Sequence, residues 1–183
     1  DWYDRSLGRR VNAVEDTQSP FIGKKKGDRS GRSPRNLISS TFSDELVLAS
    51  GGQSRAFGVS TKDRGAIITA GHRGQAYWYS SRTGRYQTTT WYREEYPAWV
   101  EAWNREKMSD QYAGATWDLL GERDEFVFAD QDDRRFEHSR GELGRTFPHR
   151  MADTTAGRFY NDLRYTPWAD EIILSFTKAL IEA

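Results

Sequence analysis

The hydrophobic pattern of this chain changes period several times along its length, and each change marks a different element. Residues 55–61 are rich in β-branched and aromatic side chains and predict a buried strand. Residues 76–80 and 86–92 predict two more strands, joined by Ser81, Arg82, Thr83, Gly84 and Arg85, with Gly84 supplying the positive φ of a hairpin turn. Tyr77, Trp78, Tyr79, Trp91 and Tyr92 make that ribbon strongly aromatic. Such rings either stack nucleobases or pack across strands; without a basic groove, packing is the expectation.

The helical signals lie elsewhere. Ser43, Asp44 and Glu45 predict a helix start, and Leu46, Val47, Leu48 and Ala49 lead to a stop at Gly51 and Gly52. Ser33 with Pro34 predicts another start. After a short apolar run at 66–70, Gly71 closes a small helix. Residues 97–105 form a helix in this reading, with Trp99, Val100 and Trp103 on one face. Thr166 is expected to cap a last helix from Pro167, in which Trp168, Ile172, Phe176 and Leu180 recur every fourth residue and Ala169 and Ile173 widen the stripe. Residues 1–36 read as largely irregular, with Trp2 and Tyr3 as bulky anchors. Residues 109–157 are mixed: short apolar runs at 117–120 and 126–129, then a charged loop at 130–135. The fold class is α+β: a two-layer sandwich in which an antiparallel aromatic hairpin sheet is packed by the helices at 97–105 and 167–182.

Length and charge narrow the picture. The 183 residues suffice for a core of one domain. Basic and acidic residues balance at 27 each, so no global field favours nucleic acid or a membrane surface. Lys24, Lys25 and Lys26 read as a solvated loop. There is no cysteine, hence no disulfide and no thiolate metal site. No apolar run approaches the roughly 20 residues of a membrane span, and no signal peptide is present. The first residue is Asp1 rather than Met, as expected of a processed, trimmed or excerpted chain.

The candidate chemistry sits where the 55–61 strand ends, at Lys62, Asp63 and Arg64. A strand end followed by a helix start directs N–H groups and positive partial charge at an anion. Lys62 and Arg64, two apart on an extended chain, project the same way and can share a group with several charged oxygens, Lys as a point charge and Arg as a fork. The same tripeptide also fits a solvated turn. His72, alone after Gly71, reads as a hydrogen-bonding histidine rather than a metal ligand. Asp130, Asp132 and Asp133 suggest calcium, but the Gly and terminal Glu of an EF-hand loop are missing, so they read as a turn.

The run FGVSTKDRGAIITAGH, followed by AYWYSSRTGRYQTTTWY and YPAWVEAWN, resembles the alkaline phosphatase family, in particular its bacterial, phosphate-irrepressible-type members (related to type I phosphodiesterases and nucleotide pyrophosphatases). The opening DWYDRSLGRRVNAVEDT and the later STFSDELVLASGG fit the same family in the same order. The resemblance implies a middle segment of an α/β enzyme, a substrate-recognition or insertion domain spanning 1–183. By it, Lys62 and Arg64 inherit contacts to the non-bridging oxygens of a phosphoryl group. It further implies two zinc ions in the full-length enzyme and a periplasmic or secreted location. Its expected partners are a phosphate ester and the remainder of the catalytic core, with no nucleic acid and no membrane span.

Two-metal hydrolysis needs a nucleophile and several Asp and His ligands. Only His72, His138 and His149 are present, with no paired spacing, so no catalytic residue and no metal ligand is expected in this chain and the fragment alone is expected to be inactive. In the resembled family the nucleophile precedes the equivalent of Asp1 and the remaining ligands follow Ala183. Two cations favour a phosphomonoester, whose dianion has one more charged oxygen than a diester. The alternatives are the same domain in a phosphodiesterase or nucleotide pyrophosphatase, or a non-catalytic, aromatic-rich binding module.

Overall fold

The computed structural model describes residues 1–27, 29–128 and 132–183. Asp130 and the end of the 126–129 run therefore lie outside the described residues. The chain opens on an antiparallel hairpin, β1 (Trp2–Asp4) and β2 (Arg9–Val11), in register Trp2↔Val11. This hairpin was not expected within 1–36. Trp2 and Tyr3 do not anchor it, being 42% and 64% exposed; Val11 and Val14 are buried instead. The rest of the segment is tied by Asp16, whose carboxylate accepts from Gln18 N, Ser19 Oγ and Ser33 Oγ. Ser33 is thus not a helix cap. Pro34 starts a single turn closed by Leu37 N on its carbonyl. Lys24, Lys25 and Lys26 are exposed.

Helix α1 (Phe42–Ala49) starts one residue earlier than the sequence suggests, because Thr41 and Asp44 form a capping box. Gly51 and Gly52 follow it at positive φ. Strand β3 (Phe57–Ser60) runs into α2 (Asp63–Ala70) and then β4 (Gln75–Tyr79). β3 pairs with β4 in parallel, Phe57↔Gln75 to Ser60↔Trp78. The turn after β4 leads to β5 (Tyr86–Gln87), antiparallel to β4 with Tyr79↔Tyr86, and Gly84 has φ +66° as its turn requires. β5 stops five residues short of the expected end. Beyond Gln87 the chain pairs with the first segment instead: Thr89 bridges Phe21 and its hydroxyl donates to Arg32 O, while Thr90 N donates to Pro20 O.

The remaining elements are α3 (Ala98–Arg105), β6 (Thr116–Trp117), β7 (His149–Arg150), α4 (Phe159–Leu163) and α5 (Trp168–Glu182), with β6 antiparallel to β7. Pro167 precedes α5, but Thr166 does not cap it; its hydroxyl donates to Leu163 O at the end of α4.

The period of two along β4 sorts its side chains to two sides. Tyr77, Tyr79 and Tyr86 join Val100, Trp103, Phe159, Leu163, Ile172 and Phe176 in the main core, backed by α3, α4 and α5. Ala76 and Trp78 turn the other way, onto Ala66, Ile67 and Ala70 of α2 and onto Val14. Phe176 stacks on Tyr86 at 3.8 Å between ring centres. The rings of β4 and β5 are therefore core, and Tyr77, Trp78, Tyr79 and Tyr86 offer no face for stacking a base; Trp91, beyond the end of β5, is 40% exposed. No helix among the described residues is long and apolar enough to cross a membrane.

Candidate anion site at the start of helix α2

Ser60 closes β3, and two residues later the backbone enters α2. Lys62 is the residue before the helix, still extended at φ −126° and ψ 135°, and no side chain caps this end. The turn is fixed locally: Lys62 N donates to Ser60 Oγ at 3.1 Å, and Asp63 Oδ1 accepts from Arg64 N at 2.8 Å. Asp63 is occupied twice, since its Oδ2 accepts from Arg32 Nε at 2.8 Å. Arg32 in turn donates to the carbonyls of Arg29, Ser30 and Gly31. Lys62 and Arg64 thus straddle the helix start rather than lying on one extended stretch, and they still line one cavity of about 300 Å³.

The two cations are held differently. Arg64 Nη1 pairs with Asp1 Oδ1 at 2.6 Å, with its side chain about a third exposed. Lys62 is exposed and its ammonium has no ion pair among the described residues. Three more cations line the cavity, Arg32, Arg82 and Arg164, against the single carboxylate of Asp63. Arg32 belongs to the first segment, expected to be irregular, Arg82 to the hairpin turn and Arg164 to the end of α4, and no spacing links them; only the fold brings them together.

The field of this cluster is felt by a neighbour. Burial alone would raise the Tyr165 phenol, but Arg140, Arg164 and Lys62 together hold it below its ordinary value. Arg140 lies 3.4 Å above the same ring.

His72 follows the expectation of a hydrogen-bonded histidine. Its Nδ1 meets Asp44 Oδ2 at 3.2 Å and its Nε2 meets Leu37 O at 3.1 Å. His149 Nδ1 meets Leu143 O, and its ring packs between Trp117 and Phe147. Asp132 and Asp133 pair with Arg123 and Arg145. No group of three His, Asp or Glu side chains among the described residues converges in a metal-holding arrangement. The zinc ions implied by the resemblance therefore find no matching donor set in these residues. A larger cavity of about 960 Å³, walled by Trp117, Leu120, Phe126, Phe136 and Phe147, is mainly apolar and shares no lining residue with the α2 cavity.

No protein-family profile matches the chain. It is 32% identical over 185 residues to alkaline phosphatase PhoV of Synechococcus elongatus and 32% identical over 191 residues to alkaline phosphatase PafA of Elizabethkingia meningoseptica. It superposes on the crystal structure of wild-type PafA with a TM-score of 0.82 at 32% identity, over 100% of this chain and 35% of that one. The chain is a homologue of a segment of these alkaline phosphatases. It matches along its whole length and spans about a third of theirs, 33% of PhoV and 34% of PafA. A protein of Myroides odoratus named a calcium-transporting ATPase is 34% identical over 184 residues, with 33% of its length covered. A PafA variant substituted at a threonine, an asparagine, a lysine and an arginine superposes with a TM-score of 0.83 at 30% identity, covering 100% of this chain and 36% of that one. The mixed α+β architecture expected from the sequence, with its aromatic hairpin, is thus an alkaline-phosphatase-like fold.

Proposed function

We propose that this chain is the substrate-recognition segment of a zinc-dependent alkaline phosphatase acting on phosphomonoesters in the periplasm or outside the cell. In this reading Lys62 and Arg64 hold the non-bridging oxygens of the phosphoryl group. The observation that carries it is the placement of both cations around the uncapped start of α2, facing one cavity. The solved PafA variant adds support, since its substituted lysine and arginine are two residues apart, the spacing of Lys62 and Arg64. Charge spreads over the equatorial oxygens during phosphoryl transfer, so cations aimed there strengthen their contacts as the reaction proceeds. Lys62 supplies a mobile point charge; Arg64, oriented by Asp1, supplies a fork with donors to spare. The zinc ions would activate the nucleophile and leaving group, and their ligands would come from the remainder of the catalytic core. A diester, with fewer charged oxygens, gains less from the pair, which weighs against the phosphodiesterase reading. The burial of the hairpin rings weighs against the binding-module reading.

The test is kcat/KM for a monoester and a matched diester in an enzyme carrying this segment. Replacing Lys62 or Arg64 by Ala is expected to cost about 3 kcal/mol on the monoester, the scale of one oxyanion donor. The double variant should cost less than the sum because both cations grip one group. The diester should suffer much less. Equal losses on both substrates would mean that the cations hold the fold rather than read the phosphate.

A further inference from the structure

The cavity at α2 contains more cationic charge than one phosphoryl group answers. Arg32 is spent on Asp63 and on three backbone carbonyls, and Arg64 is shared with Asp1. Arg82 and Arg164 are different. Arg82 is exposed on the hairpin turn and has neither hydrogen bond nor ion pair among the described residues. Arg164 Nη2 reaches only neutral acceptors, Asn161 Oδ1 at 3.2 Å and the Tyr165 hydroxyl at 3.5 Å. Its Nε is buried with no acceptor at all. The Arg164 guanidinium, which lines the cavity, therefore has no anionic partner among the described residues, and an anion there would supply one to its terminal nitrogens. With Asp63 and Asp1 each answering one of the five cations, three charges remain, and a phosphoryl dianion answers two. The volume of about 300 Å³ is at the small end of ligand sites, which limits the occupant to a small molecule.

We propose that this cavity holds two anionic groups at once, a phosphoryl group on Lys62 and Arg64 and a second anion on Arg82 and Arg164. Its ligand is then a small molecule with two anionic groups: a pyrophosphate, or a phosphomonoester whose leaving group carries its own phosphate or carboxylate. This rests on the reading of Lys62 and Arg64 given above. Arg82 and Arg164 act as specificity-determining residues, reading what is attached to the phosphoryl group and not the group itself. Their positions fit that division: Arg82 comes from the turn between β4 and β5 and Arg164 from the end of α4, so both approach from elements other than the α2 turn.

The probes are inorganic phosphate and pyrophosphate, titrated calorimetrically into the 183-residue chain at one ionic strength. Pyrophosphate is expected to bind at least about tenfold more tightly, the worth of one charge-assisted contact. Arg82→Ala and Arg164→Gln should each collapse most of that ratio while leaving phosphate affinity within about twofold. Arg105→Ala, outside the cavity, should leave the ratio unchanged and so exclude a general charge effect. A ratio near one in the parent chain overturns the proposal. So does a ratio that survives both variants, or phosphate affinity that falls as far as pyrophosphate affinity. Lys62→Ala separates the two readings: it should weaken both probes together, and if it weakens neither, the phosphoryl assignment fails whatever Arg82 and Arg164 do. Circular dichroism checks folding, and should Arg164→Gln unfold, the exposed Arg82 carries the test alone.

Discussion

Asp44 collects more side-chain hydrogen bonds than Lys62 or Arg64, and it explains why the start of α1 and the end of α2 stay together. Its carboxylate accepts from Thr41 N and Thr41 Oγ1, from His72 N and Arg73 N at 2.8 Å each, and faces His72 Nδ1. Burial alone would raise its pKa, but the donors from Thr41, Arg73 and His72 win and bring it down from 3.8 to about 2. The sign of the linkage follows. The native carboxylate is more acidic than the unfolded one, so its stabilisation is complete above about pH 4 and is lost as pH falls towards about 2. It amounts to about 2 kcal/mol, and Asp44→Asn should remove it, lowering stability at neutral pH and flattening the acid limb. Urea midpoints measured across that range check this; an unchanged acid limb would contradict it. The sequence marked Asp44 only as a helix opener. Its partners His72 and Arg73 lie 28 and 29 residues on, a separation that no local pattern encodes.

Among the elements, the 55–61 strand, the short helix after Lys62 and the 76–80 strand were legible from periodicity, as were α3 and α5. The antiparallel β4–β5 hairpin was legible too; what pattern did not give is the partner of β3. β3 and β4 run parallel with α2 as their crossover, and a connection of a dozen or more residues is what such a pair needs. That geometry lays α2 very close to the strand it follows. A Cβ placed on Gly58 would meet the carbonyl of Ala66 in α2, which is backbone and has little freedom to move aside. Gly58→Ala should therefore push α2 off the sheet and cost about 3 kcal/mol, at the upper end of ordinary overpacking. Chemical denaturation of the variant measures it, and a cost below about 1 kcal/mol would mean that the helix slides without penalty. Boundaries were least legible where another segment competed for pairing. The aromatic strand was expected to reach residue 92, but Thr89 and Thr90 are taken by residues 20, 21 and 32.

For the whole molecule, the cationic cavity is the feature that depends on the complete fold. The position of Lys62 and Arg64 on one cavity was legible because a strand end, two cations and a helix start are adjacent in sequence; that they hold a phosphoryl group is the proposal made above. Arg32, Arg82 and Arg164 were not, because each arrives from a different part of the chain. The described residues bring five cations to one cavity, yet no three metal-ligating side chains to one point. The 183-residue chain alone should accordingly hydrolyse p-nitrophenyl phosphate no faster than buffer. Turnover that persists after repurification from chelator would refute that, as would stoichiometric zinc by elemental analysis.

The strap formed by the first segment has a consequence in time. It joins the α2 turn through Asp1 to Arg64 and Arg32 to Asp63, contacts between residues 63 and 31 positions apart, and it meets the β5 exit through Arg32 O and Thr89, 57 apart. Closing loops of that length is slow compared with forming a helix turn. The cavity should then mature last on refolding, after α3 and α5 have regained their helicity. Stopped-flow refolding can follow the fluorescence contribution of Trp78, which lines the cavity, taken as the difference between the parent chain and Trp78→Phe because the chain has 7 tryptophans, against far-ultraviolet ellipticity. A lag in the first behind the second is expected, and coincident traces would mean that the strap docks as early as α3 and α5 form.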